Sequence, residues 1–463
     1  MSEELLSHVP KHVFRIRDVL ARANKRAWVV GGCVRDLLRG GVPADWDVCT
    51  DATPEELLKL FPRAIPTGIA HGTVTVVLDR EHYEVTTLRG EGAYTDGRRP
   101  DAVHFVSDIE QDLARRDFTV NAIAISAENG AVVDPFGGRA DLAAKVLRAV
   151  GRAEERFAED GLRVLRAARF CATLGFTLDD DTKAAIAPTL ATYRKVSPER
   201  VRDEWVKTMK AERPSVAFDI MRETGILGVT CPELLEGVGM EQNRYHAYDV
   251  WKHGLECMDA CPKDPMLRIA GLFHDVGKPR SRAFSDKTQD YTFYDHDRIG
   301  AEIVEPICAR LKFSNDERIR VTHLVRHHLF HYDEWTDTAV RRWIRRVGKD
   351  RLEDLYAINE ADARAKGTDP TSCFEALAAL KLHVEKVLAE GTALSTKDLA
   401  IDGHVLMKDL AMKPGPKLGV VLNQLLEEVT GDPTLNTSDR LLARAREIVD
   451  GLEAPRLATE GKS

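Results

Sequence analysis

Apolar positions along the chain change their period near residue 150. Leu6, Val9, Val13, Ile16 and Leu20 recur at helical spacing and predict an amphipathic N-terminal helix. Short runs rich in β-branched residues follow: WVVGG, DWDVCT, TVTVVLD, HYEVTTLR and AVVDPF. They alternate with the stretches VRDLLRG, TPEELLKLF and QDLARRDFTVNAIAI, whose spacing predicts helices. From about 151 onward the pattern is almost entirely helical. Ser197-Pro198-Glu199-Arg200 reads as a helix start with proline in the first turn, and KPGPKLG at 413–419 as a loop entering another helix. Segment 281–295, SRAFSDKTQDYTFYD, is expected to be a loop. The expected class is α+β. A head with a mixed sheet and helices spans 1–150, a helical neck 151–212, a helical body 213–380 and a helical tail 381–463.

Composition narrows the reading. The chain has 463 residues, a prior of about three domains. Hydrophobic residues are 43% and charged residues 30%, an ordinary globular balance that excludes wholesale disorder. No apolar run approaches the ~20 residues that cross a bilayer. The first residues, MSEELLSHVPKHVFRIRDVL, contain no continuous apolar stretch, so no secretory signal and no membrane partner are expected. The net charge is −8, so a nucleic-acid site must be a local basic patch. Eight cysteines are scattered with no CxxC pair, which argues against a zinc ribbon and fits reduced thiols in a cytoplasm.

The head carries paired carboxylates. Val29-Val30-Gly31-Gly32 reads as a strand ending in a glycine turn before a helix, where backbone N–H groups can meet an anion. A plain turn explains two glycines equally well. Asp45-Trp46-Asp47 reads as part of the next strand, whose alternation would point both carboxylates the same way. Side by side they repel, unless divalent cations lie between them. Two Mg²⁺ ions about 3.5–4 Å apart can activate a hydroxyl and stabilise a leaving pyrophosphate. Glu84, in HYEVTTLR, is a candidate third carboxylate.

Together VVGGCVRDLLRG, DWDVCT, EVTTLR, RRDFTVNAIA and RFAEDGLRVLRAARFCATLGF resemble the polymerase-β-type nucleotidyltransferases. More narrowly, the chain resembles the class II CCA-adding tRNA nucleotidyltransferases and bacterial poly(A) polymerases, over nearly its whole length. The resemblance implies a nucleotidyltransferase palm in the head, with Asp45 and Asp47 as Mg²⁺ ligands and Glu84 completing the catalytic carboxylates. It implies nucleotide contacts from Gly31, Gly32, Arg35 and Arg116, with Asp117 near the ribose. Arginine suits phosphate and a carboxylate suits a ribose hydroxyl. An ordinary surface ion pair would also account for Arg116 beside Asp117.

In EDGLRVLRAAR, Asp160, Arg163, Arg166 and Arg169 recur every three residues and are expected to drift around one helical stripe. Salt bridging on a solvated face is the plain explanation. In the family this stripe faces the incoming base. A carboxylate accepts from an exocyclic amino group and an arginine donates to a ring acceptor, so CTP and ATP would fit and GTP and UTP would leave polar groups unpaired. The segment Arg89-Gly-Glu-Gly-Ala-Tyr94-Thr-Asp96-Gly-Arg98-Arg99-Pro100 resembles the flexible loop with which the family switches from C to A addition. It is full length, which favours addition of A.

Eight of the chain's 15 histidines fall within 246–331. Among them Phe273-His274-Asp275-Val276-Gly277-Lys278 matches the HD phosphohydrolase signature. Imidazoles with carboxylates suit divalent transition metals that activate water against phosphoesters. His253, His274, Asp275 and Asp362 are the expected ligands, with His296 and His327 as candidates for a second metal or a phosphate. The resemblance implies phosphodiesterase or phosphatase activity on 2′,3′-cyclic or 3′-phosphate ends.

Segment 341–351, RRWIRRVGKDR, carries a local charge of +5. Val340, Trp343, Ile344 and Val347 form its apolar stripe and leave Arg341, Arg342, Arg345 and Arg346 facing outward as candidate tRNA contacts. Lys413 and Lys417 are further candidates, and an ordinary capped turn explains them as well. The expected enzyme transfers CMP and AMP from CTP and ATP to the tRNA 3′ end, as monomer or homodimer, with an added HD-type hydrolase. The alternatives are an A-adding tRNA nucleotidyltransferase, a poly(A) polymerase, and an HD phosphohydrolase whose head only binds RNA.

Overall fold

In the computed structural model, which describes residues 2–90, 104–391 and 393–453, Pro10 cuts the N-terminal helix into Ser2–Ser7 and Lys11–Arg22. Proline lacks the N–H that would continue the first piece. Val9, Val13, Ile16 and Leu20 are still buried together, in one core with sheet residues Val29, Val48, Val74 and Val85.

Apart from a short parallel pair, Val146–Leu147 with Thr177–Leu178, the described strands of the first 240 residues are β1 (Ala27–Val30), β2 (Val48–Thr50), β3 (Ala64–Gly68), β4 (Thr73–Leu78), β5 (Glu81–Thr87), β6 (Ala124–Ser126) and β7 (Val132–Val133). They form one sheet in the order β3-β4-β5-β2-β1-β6-β7. It is mixed, since β2 and β5 run parallel while the other pairs are antiparallel. Central strand β1 is buried on both faces. Ala27 and Val29 enter one core, Trp28 and Val30 another. The same division places Ile123 and Ile125 on one side and Ala122 and Ala124 on the other. NAIAI therefore corrects the helical reading of QDLARRDFTVNAIAI. Only Ile109–Ala114 is α-helix, and the end of the run is β6. A run apolar on both faces carries no alternation that would mark it as a strand.

DWDVCT also departs from expectation. β2 begins at Val48, and Asp45 lies in a bend before it. Pairing starts one residue early, because Val30 N donates to Asp47 O at 3.1 Å. Segment 281–295 is not a plain loop. Ala283–Ser285 and Asp290–Thr292 pair as an antiparallel hairpin with Phe284 opposite Tyr291.

The chain forms two compact units. One comprises Met1–Met240, Lys263–Ile269 and Glu302–Arg320; the other Glu241–Pro262, Ala270–Ala301 and Val321–Ser463. These units do not follow the sequence boundary at 212. The boundary at 380 falls inside helix Thr371–Ala389, whose buried Leu377, Leu380, Val384 and Val387 continue one apolar face through it. The first unit contains the sheet and helices Ala153–Glu159, Leu162–Leu174 and Pro198–Thr208, the last opening at Ser197-Pro198 as expected. Among the described residues, the regular structure of the second is helical apart from the hairpin. Among the described residues no helix is long and apolar enough to cross a membrane.

Candidate functional site

β1 ends at Val30, and Gly31 turns the chain into helix Gly32–Leu38 with φ 78° and ψ −134°. Only glycine adopts that conformation readily. A Cβ there would also lie 2.9 Å from an Arg116 guanidinium nitrogen and 3.8 Å from Asp47 Oδ2. Arg116 thus stands over the glycine turn, beside the first carboxylate. β2 and β5 are parallel with Val48 opposite Val85, so Asp47 and Glu84 each sit one residue before that pair. Asp45, Asp47 and Glu84 are all open to solvent. Asp47 is nevertheless recessed among protein atoms. That recess raises its carboxyl above the usual range, Arg116 opposes the rise, and Glu84 and Asp45 add to it. Repelling carboxylates around one point are the donor set that a divalent cation relieves.

Arg116 donates to Asp112 at 3.1 Å, not to Asp117. Asp112 is fully buried and also takes Arg115 at 2.6 Å. Asp117 is paired elsewhere: Arg166 donates to its Oδ2 at 2.6 and 2.8 Å, and Asn121 to its Oδ1 at 3.1 Å. Arg35 donates to Asn121 Oδ1 at 2.8 Å and stacks 5.4 Å from the Phe170 ring, where Arg166 also lies. Arg35, Asp117 and Arg166 are therefore joined through Asn121, while Asp112 holds Arg116 separately; Asn121 and Asp112 are two residues the sequence reading missed. Asp112 was detectable, because Arg115 and Arg116 follow it at i+3 and i+4. Asn121 carried no signal.

The stripe expected to face the base is not one helical ladder. Asp160 precedes the helix in extended backbone, φ −140° and ψ 106°, and Leu162–Leu174 starts after Gly161. No two of the four pair with each other. Asp160 takes Arg200 at 2.7 and 3.1 Å. Arg163 donates to Glu159 at 2.6 Å and to the carbonyls of Arg156 and Arg115 at 2.9 Å. Arg169 donates to Glu204 at 2.5 Å. Each polar edge is held by a separate partner, and Arg200, Glu159 and Glu204 were not read from sequence. Of the switching loop 89–100, only Arg89 and Gly90 are described; Tyr94, Asp96, Arg98, Arg99 and Pro100 lie outside the described residues.

In the second unit four imidazoles share one wiring. Nδ1 of His253, His274, His296 and His328 lies 2.7–3.1 Å from the carbonyl of Ala365, Gly271, Phe293 and Val325 respectively. A ring that donates through Nδ1 presents Nε2 as a lone-pair ligand. The Nε2 atoms meet in pairs, His253 with His274 at 3.1 Å and His296 with His328 at 3.3 Å. Asp275 spans both pairs. Its Oδ2 is 3.2 and 3.1 Å from the first, its Oδ1 3.4 and 3.8 Å from the second. Asp362 Oδ1 adds contacts of 3.0 Å to His253 and 3.6 Å to His274. Gly277 permits this closeness, since a Cβ there would lie 2.1 Å from the carbonyl oxygen of His296. Burial disfavours charge on His274, but Asp275 and Asp362 override it and hold that imidazole up at about 10. The centre attracts positive charge, as a metal-binding donor set must.

One expected ligand is corrected. His327 is outside the cluster and packs on His323 with ring centroids 4.5 Å apart. Its neighbour His328 lies in the cluster instead. Helix Asn315–His327 ends between them, and the turn aims the next side chain inward. Burial, then His274 and His296, push the His328 imidazole down to about 3, so it is neutral.

The basic helix Asp337–Val347 also differs from its reading. Arg341 is buried and pairs with Glu390 at 3.3 Å, so it does not face outward. A helix packed on two sides buries one residue beyond its apolar stripe, and the counter-ion makes this tolerable. Arg342 and Arg345 share Glu427 at 2.8 and 2.6 Å, while Arg346 is exposed. These three line an open groove of about 630 Å³ with Trp335 and Trp343. Lys413 and Lys417 are exposed and line a separate one of about 620 Å³ with Arg446.

Comparison with known proteins agrees with this arrangement. The profile "Poly A polymerase head domain" matches residues 27–148, "Probable RNA and SrmB- binding site of polymerase A" matches 175–237, and tRNA nucleotidyltransferase domain 2 matches 292–445. A CCA-adding enzyme of Lactiplantibacillus plantarum is 34% identical over 94% of this chain and 95% of its own length. An A-adding tRNA nucleotidyltransferase of Deinococcus radiodurans is 36% identical over 90% of this chain and 94% of its own. The crystal structure of the Bacillus stearothermophilus CCA-adding enzyme in complex with CTP superposes with a TM-score of 0.69 at 28% identity, covering 95% of this chain and 97% of that one. With a carboxylate-lined glycine turn in a mixed sheet, and near full-length similarity to these enzymes, the chain belongs to the tRNA nucleotidyltransferase family with a poly(A) polymerase-type head.

Proposed function

We propose that the chain builds or repairs the 3′-terminal CCA of tRNA from CTP and ATP. The observation that carries this reading is the convergence of Asp47, Glu84 and Asp45 beside Arg116 at the Gly31 turn. The three carboxylates would hold Mg²⁺, which would neutralise triphosphate charge and favour the ionised hydroxyl. The tRNA 3′ oxygen attacks the α-phosphorus, a new P–O bond forms, and pyrophosphate leaves. Arg116, with the backbone N–H at Gly32 beyond the Gly31 turn, meets the phosphates, and the Arg35 guanidinium lies beside Gly32. Asp117 and Arg166 act as a pair at the ribose side. Asp160 and Arg163 read the base edge, and Arg169 braces the helix through Glu204.

A second reading is addition of A alone, favoured by the 36% identity to the A-adding enzyme. Transcripts ending before the tail, after C and after CC, each supplied with CTP or ATP separately, decide between them by product length. Elongation of all three supports the CCA reading. Extension of the CC transcript alone, with ATP, overturns it. Unlimited extension by ATP overturns both.

We further propose that the imidazole centre is a hydrolase for 2′,3′-cyclic or 3′-phosphate RNA ends. His253, His274, Asp275 and Asp362 would hold one divalent transition metal, and His296 and His328 with Asp275 a second. Such ions supply activated water. Incubation of the purified chain with 2′,3′-cyclic AMP and Ni²⁺, Co²⁺ or Mn²⁺ tests this, and absence of hydrolysis with all three overturns it. For tRNA binding, Arg342, Arg345 and Arg346 are the proposed phosphate contacts, with Lys413 and Lys417 as a second patch.

A further inference from the structure

A pocket of about 220 Å³ opens beside the imidazole centre. His328 and Asp362 line it, so it adjoins the donor set from both pairs. Lys366, Cys373, Leu377 and Leu380 are further lining residues. We propose that this pocket seats a terminal nucleoside bearing a 2′,3′-cyclic or 3′-phosphate, with the Lys366 ammonium on its phosphoryl oxygens. The proposal rests on the hydrolytic reading above and supplies its substrate seat.

Asp362 works on two sides. Its Oδ1 faces His253 and His274, while its Oδ2 lies 3.3 Å from Lys366 Nζ. The ammonium therefore stands one carboxylate's width from the imidazole pair. It has three donors, so it can keep Asp362 and still donate to a phosphoryl oxygen. Leu329 and Phe330 also line it and give the accessible apolar surface that a ribose or base packs on, and the volume suits one nucleotide end, not a duplex. The wall is braced: lining residue Tyr332 donates to His383 Nδ1 at 3.0 Å, and His383 Nε2 donates to Asp337 at 2.6 Å. In hydrolysis of the cyclic ester, water oxygen bonds to phosphorus and one ribose P–O bond breaks. The freed ribose oxygen takes a proton, and a monophosphate results.

Seven of the eight cysteines are buried, and Cys373 alone is partly exposed, inside this pocket. It provides a reporter that needs no turnover. In EDTA, adenosine 3′-monophosphate is expected to slow iodoacetamide labelling of Cys373, read by peptide mass spectrometry, and adenosine to slow it much less. K366M should remove the difference between the two ligands. With metal restored, K366M should raise KM for 2′,3′-cyclic AMP by about tenfold or more, the loss typical of one charge-assisted hydrogen bond. Bound metal should stay unchanged, and K366R should recover most of the affinity. A376W, which fills the pocket without touching the donor set, should raise KM as well. If the protein binds metal and hydrolyses the ester while labelling is indifferent to both ligands and KM to all these variants, the seat is wrong and the hydrolytic reading stands. If it neither binds metal nor hydrolyses, both fall.

Discussion

Asp117 and Arg166 offer the sharpest test, because sequence reading treats them as separate nucleotide contacts and the structure makes them one part-buried pair. Burial opposes ionisation of Asp117, but Arg166, the Asn121 hydrogen bond and Arg163 override it and hold the carboxyl at about 2. Against an ordinary 3.8, at about 1.4 kcal/mol per pH unit, the folded environment favours the charged form by roughly 2–3 kcal/mol. Its side chain is only 10% exposed, so solvent screening removes little of this. The sign follows from the direction. A lowered carboxyl contributes fully above its unfolded value and loses that contribution as pH falls from about 4 toward 2. Removing one partner leaves the other charge buried, so D117N and R166M should each destabilise by roughly 3 kcal/mol. The double variant should cost clearly less than the sum. Urea unfolding of the four proteins at pH 7 measures the coupling, expected at about 2 kcal/mol. Additive losses, with coupling below about 0.5 kcal/mol, would refute a structural pair and return Asp117 to a purely ligand-facing role.

Further outcomes follow from the same geometry. Asp47 is held above the usual carboxylate range, so in the folded protein its ionisation costs stability, increasingly as pH rises through that range. D47N should therefore keep or raise Tm without divalent ions while transfer falls by about a thousandfold; a lowered Tm with retained transfer would contradict both halves. Equilibrium dialysis against Mn²⁺ should find that H328A loses one of two bound ions and H327A none. Equal losses would reject the correction at 327. R346A should reduce the salt slope of tRNA binding by about one ion, and E427Q, which frees Arg342 and Arg345, should tighten binding at low salt; unchanged slopes would exclude the groove.

Much of the transfer site was legible because its chemistry is local. Gly31 next to Gly32, and Asp45 two residues from Asp47, are patterns that short spacing fixes before any folding. What sequence hid is which groups neutralise them. Asp160 and Arg163 look like partners at i+3, yet Asp160 sits in extended backbone before the helix begins. Each then finds a counter-charge from another segment, Arg200 or neighbouring Glu159. Ion pairing across elements depends on how helices Leu162–Leu174 and Pro198–Thr208 are placed, and no periodicity records that. Strand β6 was missed for the opposite reason. Buried on both faces, it lacks the polar alternation that announces a strand.

The imidazole centre shows where residue type is informative and register is not. Its signature dipeptide located His274 and Asp275, and composition pointed to the surrounding histidines. Choosing His328 over His327 required knowing where helix Asn315–His327 stops, a boundary that sequence resolves only to a few residues. The choice has a physical mark in the structure that could not be read beforehand. His253, His274, His296 and His328 each give Nδ1 to a main-chain carbonyl within 3.1 Å, His246 meets the Asn243 side chain instead, and no such carbonyl contact marks His327. Backbone carbonyls have no side-chain identity, so the atoms that set the tautomer, and with it the ability to hold a metal, leave no trace in the sequence. A ligand assignment made from histidine spacing alone should therefore err by single residues at helix ends. It should be most reliable where, as at His274-Asp275, two candidate ligands are adjacent and the turn is fixed by a glycine that nothing larger can replace.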